Sequence, residues 1–215
     1  MRVALYDMDG TLTEGASWWP WLLFWVRTEA PWRALLVPVV ALLLPLFPLL
    51  GRGGLKQAMQ RLLMGEVVPC ARVAQAARAF AATFGARRER PWMLARMAAD
   101  RDEGLAIVVA TASAHFYAEA LAERWGVDAL IATENERRGD DIGWRLLGAN
   151  CFGPEKRRRV EAWLARHGAH VVRCYSDHHA DLPILGLAAE PVAVCPTRTL
   201  RRLARRRGWP ILGSA

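Results

Sequence analysis

The stretch VALYDMDGTLTEG, Val3 to Gly15, decides how the rest of the chain is read. Val3 to Tyr6 is a short apolar run that stops at polar, glycine-containing sequence, the pattern of a buried parallel strand at its carboxyl edge. Asp7 and Asp9 follow, one residue apart. A carboxylate at a strand end can attack phosphorus, and a second carboxylate two residues on can protonate the leaving oxygen and then activate water. Gly10 allows a tight turn around a small anion and Thr11 adds a donor, although the same residues alone also suit a capped turn.

Further apolar runs end in the same way. Ala106 to Ala110 (AIVVA) stops at Thr111, Val171 to Tyr175 (VVRCY) stops at Ser176 and Asp177, and Pro191 to Cys195 reads as another strand. Between them, Ala71 to Phe84, Pro91 to Asp100, His115 to Trp125 and Glu155 to Arg166 have helical spacing. Alternating strands and helices predict a doubly wound parallel α/β sheet, in which ligands sit beyond the carboxyl ends of the strands. Asp7, Thr111 and Asp177 all fall there.

The segment from Ala16 to Glu66 breaks this rhythm and predicts a helical, apolar cap inserted after the first strand, with residues 1–15 and 67–215 forming the core. It runs from SWWPWLLFWV through RTEAPWR to ALLVPVVALLLPLFPLLG, with no charge between Arg33 and Arg52. The 18 residues from Ala34 to Gly51 would reach about 27 Å as a helix, near the roughly 30 Å of a hydrocarbon core. A single crossing would separate Asp7 from Thr111 and Asp177, which one sheet must unite, and Pro38, Pro45 and Pro48 disturb a straight rod. A bent hairpin is the expectation, with arms Trp18–Val26 and Ala34–Leu50 lying in one leaflet and tryptophans at the interface. An apolar cap packed on the core or on a second subunit is the alternative.

A formal charge of +8 over 215 residues favours anionic partners: a phosphate substrate, nucleic acid or an acidic membrane surface. Cys70, Cys151, Cys174 and Cys195 show no CxxC spacing, so neither a zinc site nor a disulfide framework is expected. Asp7 and Asp9 interrupt the place where a secretory signal would have its apolar core. The expected setting is the cytoplasm, or the cytoplasmic face of the inner membrane. The basic end RTLRRLARRRGWPIL places Leu200, Leu203 and Ala204 at helical spacing, which predicts an amphipathic final helix rather than a nucleic-acid module.

Three other segments cooperate with the opening one. VVATAS offers Thr111 and Ser113 to a phosphate oxygen or, equally, to a helix N-terminus. GANCFGPEKRRRV offers Lys156 to neutralise charge, and YSDHHADLPIL offers Asp177 and Asp181 to a hard cation such as Mg²⁺. His178 and His179 are expected to be exposed bystanders.

The order DMDGT, TAS, EK and SDHHAD resembles the four motifs of the haloacid dehalogenase superfamily, in particular the subfamily IB phosphatases related to phosphoserine phosphatase. That resemblance implies a Mg²⁺-dependent phosphatase on a Rossmann-like core. Asp7 would be the nucleophile that becomes phosphoaspartate, Asp9 the general acid and base, Thr111 a phosphoryl ligand and Lys156 the charge-steadying cation. Asp177 would ligate the metal beside Asp7 and the Asp9 carbonyl, with Asp181 orienting that site. Phosphoserine phosphatases have an acid shortly after the first motif, where this chain has Ala16, with Glu14 nearby.

The aromatic start, the proline-broken apolar run and the GR before LKQAMQRLLMG are instead similar to the membrane-associated, phosphatidylglycerophosphatase C-type members. By that likeness the substrate is a phospholipid monophosphate, and Arg52, Lys56 and Arg61 are candidate headgroup contacts. A soluble phosphatase for phosphoserine or a similar phosphomonoester, and a non-catalytic membrane adaptor with the same fold, are the competing expectations.

Overall fold

The computed structural model describes residues 1–43, 45 and 47–213. From the N-terminus the chain forms β1 (Arg2–Tyr6), α1 (Trp18–Thr28), a 3₁₀ segment (Pro31–Leu36), α2 (Val37–Leu43), α3 (Phe47–Leu63), β2 (Val67–Pro69), α4 (Cys70–Arg88) and α5 (Pro91–Asp102). It continues through β3 (Ala106–Ala114), α6 (His115–Trp125), β4 (Ala129–Thr133), β5 (Asn135–Arg138), β6 (Asp141–Leu146) and α7 (Pro154–His167). The last elements are β7 (His170–Ser176), α8 (Leu182–Leu185), β8 (Glu190–Val194), α9 (Arg198–Arg207) and β9 (Ile211–Leu212).

Among the described residues six strands form one parallel sheet in the order β4-β3-β1-β7-β8-β9. The order reverses on either side of β1, so the ends of β1, β3 and β7 share one crevice. Strand alternation feeds two cores. Ala4 and Tyr6 join the aromatic side with α1, α4, α5 and α6, while Val3 and Leu5 join the side covered by α7, α8 and α9. The doubly wound α/β class expected from the sequence is the observed one. Leu200 and Ala204 of α9 are buried on the second face while its arginines mostly point outward, as the amphipathic pattern requires.

The insertion differs from the expected hairpin. Trp21, Leu22, Trp25 and Val26 of α1 are buried, and Trp21 stacks on Tyr117 with ring centroids 5.2 Å apart. The first arm is therefore interior packing rather than a leaflet anchor, because its aromatic stripe meets Phe80 and Tyr117 of the core helices. In the second arm Pro38 sits in the first turn of α2, Pro48 starts α3, and Gly51 kinks α3 at φ 61°. No helix among the described residues is long and apolar enough to cross a membrane. Leu44 and Leu46 of that arm lie outside the described residues. Trp32, Leu35, Leu42, Phe47 and Leu49 are exposed, so among the described residues the outward apolar face lies mainly within residues 32–50, with Trp19 exposed on the first arm.

Two features had no forecast in the sequence. A second, antiparallel sheet, β2-β6-β5, braces α3: Gln60 donates to the Gly143 carbonyl at 3.3 Å, and Leu146 N–H donates to Gln57 at 3.0 Å. Beneath β1 and β7, buried Asp100 accepts from the Tyr6 hydroxyl at 2.7 Å and from Arg173 at 2.8 Å, so α5 is tied to the sheet by a satisfied polar network.

Candidate active site

Asp7 leaves the end of β1 with its N–H bonded to the Tyr175 carbonyl at 2.9 Å, which carries its carboxylate just past the sheet. There Lys156 Nζ, from the first turn of α7, donates to Asp7 Oδ1 at 2.7 Å. The same ammonium lies 2.9 Å from Asp181 Oδ1 and 3.0 Å from Oδ2, and Ser176 Oγ donates to Asp181 Oδ2 at 2.8 Å. Thr11 Oγ1 donates weakly to Asp7 Oδ2 at 3.4 Å. Burial opposes the charge on Lys156, but the Asp181 and Asp7 carboxylates outweigh it and hold the ammonium above its ordinary range. Burial holds Asp7 well above the usual carboxylate range even though Lys156 pulls it down.

Asp9 has different neighbours. Its Oδ1 accepts from Ser17 N–H at 3.0 Å and its Oδ2 from Ser113 Oγ at 2.8 Å. No cation lies within ion-pair distance of Asp9 among the described residues, and burial raises its pKa against those hydrogen bonds. Two carboxylates two residues apart are thus held in unlike settings, one facing an ammonium and one facing neutral donors, the pattern that separates nucleophile from acid.

Thr111 is buried where regular pairing of β3 with β4 lapses between Ala110 and Ala114. Its hydroxyl accepts from Ser113 N–H at 3.0 Å. Strand β3 resumes after this irregularity and runs to Ala114, three residues beyond Thr111, because Ala114 pairs with Thr133.

Gly10, at φ +86°, faces Asp177: a Cβ there would stand 2.6 Å from Asp177 Cγ. Gly10→Ala is therefore expected to cost about 1–3 kcal/mol of stability and to displace Asp177, read as a lowered denaturant midpoint together with lost activity. An unchanged midpoint would show that the turn tolerates a side chain.

Asp7, Asp9, Gly10, Thr111, Lys156, Asp177 and Asp181 line one cavity of about 280 Å³, with Arg52, Phe152 and His178 at its border. Burial and the neighbouring Asp181 carboxylate push Asp177 up to about 6. The donors around Gly10 are oxygens, no ion pair engages Asp177, and no three acidic, thiol or imidazole groups form a cage among the described residues. Such a set fits Mg²⁺, which keeps waters and takes one or two carboxylates plus substrate phosphate.

Three expectations need correction. Asp181 turns to Lys156 and Ser176, so it stands behind the ammonium rather than in an exposed metal-ligand position. Arg61 points away, bonded to Glu66 at 3.0 Å and stacked on Trp144 in a separate groove, because β6 packs along that face of α3. Ala16 lines the cavity where the sequence register put it, and Glu14 is exposed, 3.8 Å from Arg90. His178 is part of the wall: its ring accepts from Ala180 N–H at 3.1 Å and faces Phe152.

Arg52 does reach the rim, its guanidinium 4.2 Å from the Phe152 ring centroid. Ser17 was missed; a serine just ahead of an apolar helix reads as an N-cap. Here its side chain bonds Ser113 and Tyr117, both at 3.0 Å, while its N–H serves Asp9.

A family model described as haloacid dehalogenase-like hydrolase matches residues 4–186, the span that carries every residue of this cavity. The chain belongs to the haloacid dehalogenase-like hydrolase family. A crystal structure of a protein of unknown function from Bordetella pertussis Tohama I has 25% identity and a TM-score of 0.85, covering 99% of this chain and 98% of that one. A phospho-aspartyl intermediate analogue of phosphoserine phosphatase shares the fold, with 14% identity, a TM-score of 0.63 and coverage of 99% and 93%.

Among curated relatives, phosphoserine phosphatase SerB1 of Mycobacterium tuberculosis is 35% identical over 112 residues, 51% of this chain and 36% of that protein. Histidinol-phosphatase of Neisseria meningitidis serogroup C is 34% identical over 94 residues, 41% of this chain and 42% of that protein. The chain thus spans less than half the length of these two relatives. In this chain the insertion after β1 supplies Arg52 to the mouth of the cavity.

Proposed function

We propose that the chain is a Mg²⁺-dependent phosphomonoester hydrolase working through a phosphoaspartate on Asp7, with a phospholipid headgroup phosphate as its favoured substrate. The observation that carries the chemistry is the contrast between Asp7, 2.7 Å from the Lys156 ammonium, and Asp9, whose carboxylate is hydrogen-bonded among the described residues only to Ser17 and Ser113.

Asp7 attacks phosphorus as the ester P–O bond breaks, and Asp9 gives its proton to the departing alkoxide. Asp9, now a carboxylate, takes a proton from water as that water attacks the phosphorus of the acyl phosphate, releasing inorganic phosphate and restoring Asp7. Thr111 and the Lys156 ammonium hold the phosphoryl oxygens, and Asp181 steadies Lys156. Mg²⁺, held by Asp7, Asp177 and the backbone of Asp9, would offset the charge of nucleophile and phosphate.

The lipid part of the reading rests on where the apolar face lies. Exposed Leu49 and Phe47 stand in the first turn of α3, the helix that also carries Arg52 to the cavity rim. No acid occurs between Glu29 and Glu66, so this face would meet an anionic bilayer without repulsion. The segment 16–66 is on this reading a cap that rests on the membrane surface from the cytoplasmic side.

A soluble phosphatase for a small phosphomonoester is supported by the relatives named for phosphoserine and histidinol phosphate and by the modest cavity. Phosphate release with Mg²⁺ from phosphatidylglycerophosphate in mixed micelles, measured against phosphoserine, separates the two. The lipid is expected to give at least tenfold the kcat/KM. Equal or better use of phosphoserine would move the reading to a soluble enzyme, and no release from either would end it.

A further inference from the structure

Of the 29 basic side chains in this sequence only Lys56 and Lys156 are lysines. The chain uses arginine for its cationic surface, yet both lysines are buried at the active-site crevice. Lys156 is accounted for by Asp7 and Asp181. Lys56, until now only a candidate headgroup contact, has no carboxylate paired with it among the described residues, and lysine offers what arginine cannot, a compact charge with three rotatable donors.

Its setting is that of a cation awaiting a partner. Lys56 Nζ donates to the Ala112 carbonyl and to Asn150 Oδ1 at 3.1 Å, which leaves one N–H. It makes no ion pair among the described residues. A second cavity of about 250 Å³ opens beside it, walled by Trp18, Phe47, Leu55 and Met59 and joined to the first through Asp9, Ala16 and Arg52. Burial brings the ammonium down to about 8, against the pull of Asp9 and the Cys151 thiol and with the push of Arg52. A buried charge without a counter-ion is costly, and an anion in that cavity would relieve the cost.

The position of Asp9 says which part of a substrate arrives there. On the phosphatase reading, on which this inference rests, Asp9 protonates the leaving oxygen, and Asp9 lines both cavities. With the phosphoryl group beside Asp7, the rest of the alcohol extends past Asp9 into the second cavity. We infer that Lys56 selects the leaving group, seating a second anionic group, carboxylate or phosphodiester, carried by the alcohol of the phosphomonoester. The apolar walls accommodate the carbon skeleton around that anion, and among the described residues lining the cavity Asp9 is the only carboxylate that could receive an ammonium.

The test uses the full chain with Mg²⁺ and the Asp7→Asn substitution, so that ligands bind without turnover. Affinities are measured for 3-phosphoglycerate, glycerol 3-phosphate, phosphoethanolamine and a short-chain phosphatidylglycerophosphate. The carboxylate-bearing 3-phosphoglycerate and the phosphodiester-bearing lipid are expected to bind at least tenfold more tightly than the other two. Lys56→Met is expected to close that gap and Lys56→Arg to close it in part. The stronger of the two anionic ligands identifies whether the anion is a carboxylate or a phosphodiester.

If Lys56→Met does not fold, selective ¹³Cε-lysine labelling decides. Two lysines give two side-chain signals, and the one titrating near 8 should shift its midpoint upward with 3-phosphoglycerate but not with glycerol 3-phosphate. Equal affinities for all four ligands, a gap that survives Lys56→Met, or an unmoved lysine signal overturns the inference. A binding preference in a chain whose unsubstituted form releases no phosphate sinks the phosphatase reading instead, and phosphate release without preference sinks only this one.

Discussion

Asp7→Asn is expected to lower phosphate release by about 10⁴-fold or more while leaving the fold in place. The substitution keeps the shape of the side chain and keeps an oxygen that can accept from Lys156, now 2.7 Å from Asp7 Oδ1. What it removes is the nucleophile and one of the carboxylates available to Mg²⁺. Because Asp181 still faces the ammonium at 2.9 Å, Lys156 is not left as an isolated buried charge, and the stability change should be small. Burial raises the Asp7 pKa, so replacing it with a neutral amide also removes an ion that the dry site holds at a cost. Steady-state phosphate release and a denaturation midpoint, measured on the same preparation, check both halves. Activity within tenfold of the unsubstituted chain would falsify the assignment of Asp7 as nucleophile.

The core was legible because the apolar runs of β1, β3 and β7 each stop at or beside a polar residue of the cavity. Tyr6 to Asp7, Ala110 to Thr111 and Tyr175 to Ser176, with Asp177 next, are apolar-to-polar steps, and a parallel sheet brings such steps together wherever they lie in the chain. Lys156 was readable only through its company, since a lysine near a helix start is by itself an ordinary solvated residue. Asp181 was placed correctly in the crevice but given a metal to face, because spacing within DHHAD cannot say that the following turn aims it at Lys156.

The first arm of the insertion was misread for a physical reason. Tryptophans favour both interfaces and dry cores, and nothing in SWWPWLLFWV distinguishes a bilayer from Phe80 and Tyr117, which lie far along the chain. Arg61 failed similarly: a basic residue on the same helix as Arg52 and Lys56 faces β6, which only the unforeseen antiparallel sheet puts there. Lys56 did reach the crevice, but as a buried amine held by Ala112 and Asn150 rather than as a member of a solvated basic face.

Lys156→Met should produce the largest loss of stability, about 3–5 kcal/mol at neutral pH, together with loss of activity. The ammonium is buried between two carboxylates, 2.7 Å from Asp7 and 2.9 Å from Asp181. Methionine fills a similar volume but leaves two buried anions facing each other without a cation. Their escape is protonation: each carboxylate then binds its proton more tightly in the folded than in the unfolded chain. A carboxylate whose folded pKa is raised weakens the fold above its unfolded value, and the penalty grows until the folded pKa is passed. The deficit of Lys156→Met should therefore be greatest at neutral pH and above and shrink as pH falls toward the ordinary aspartate range. Adding Asp181→Asn should recover part of it at neutral pH, since only Asp7 then remains charged and Mg²⁺ can compensate it. Urea midpoints for the single and double variants at pH 5 and pH 7.5, with and without Mg²⁺, give the comparison. A deficit that does not change with pH would mean that Lys156 stabilises the fold by packing, and the charge balance between Asp7 and Asp181 would need another source.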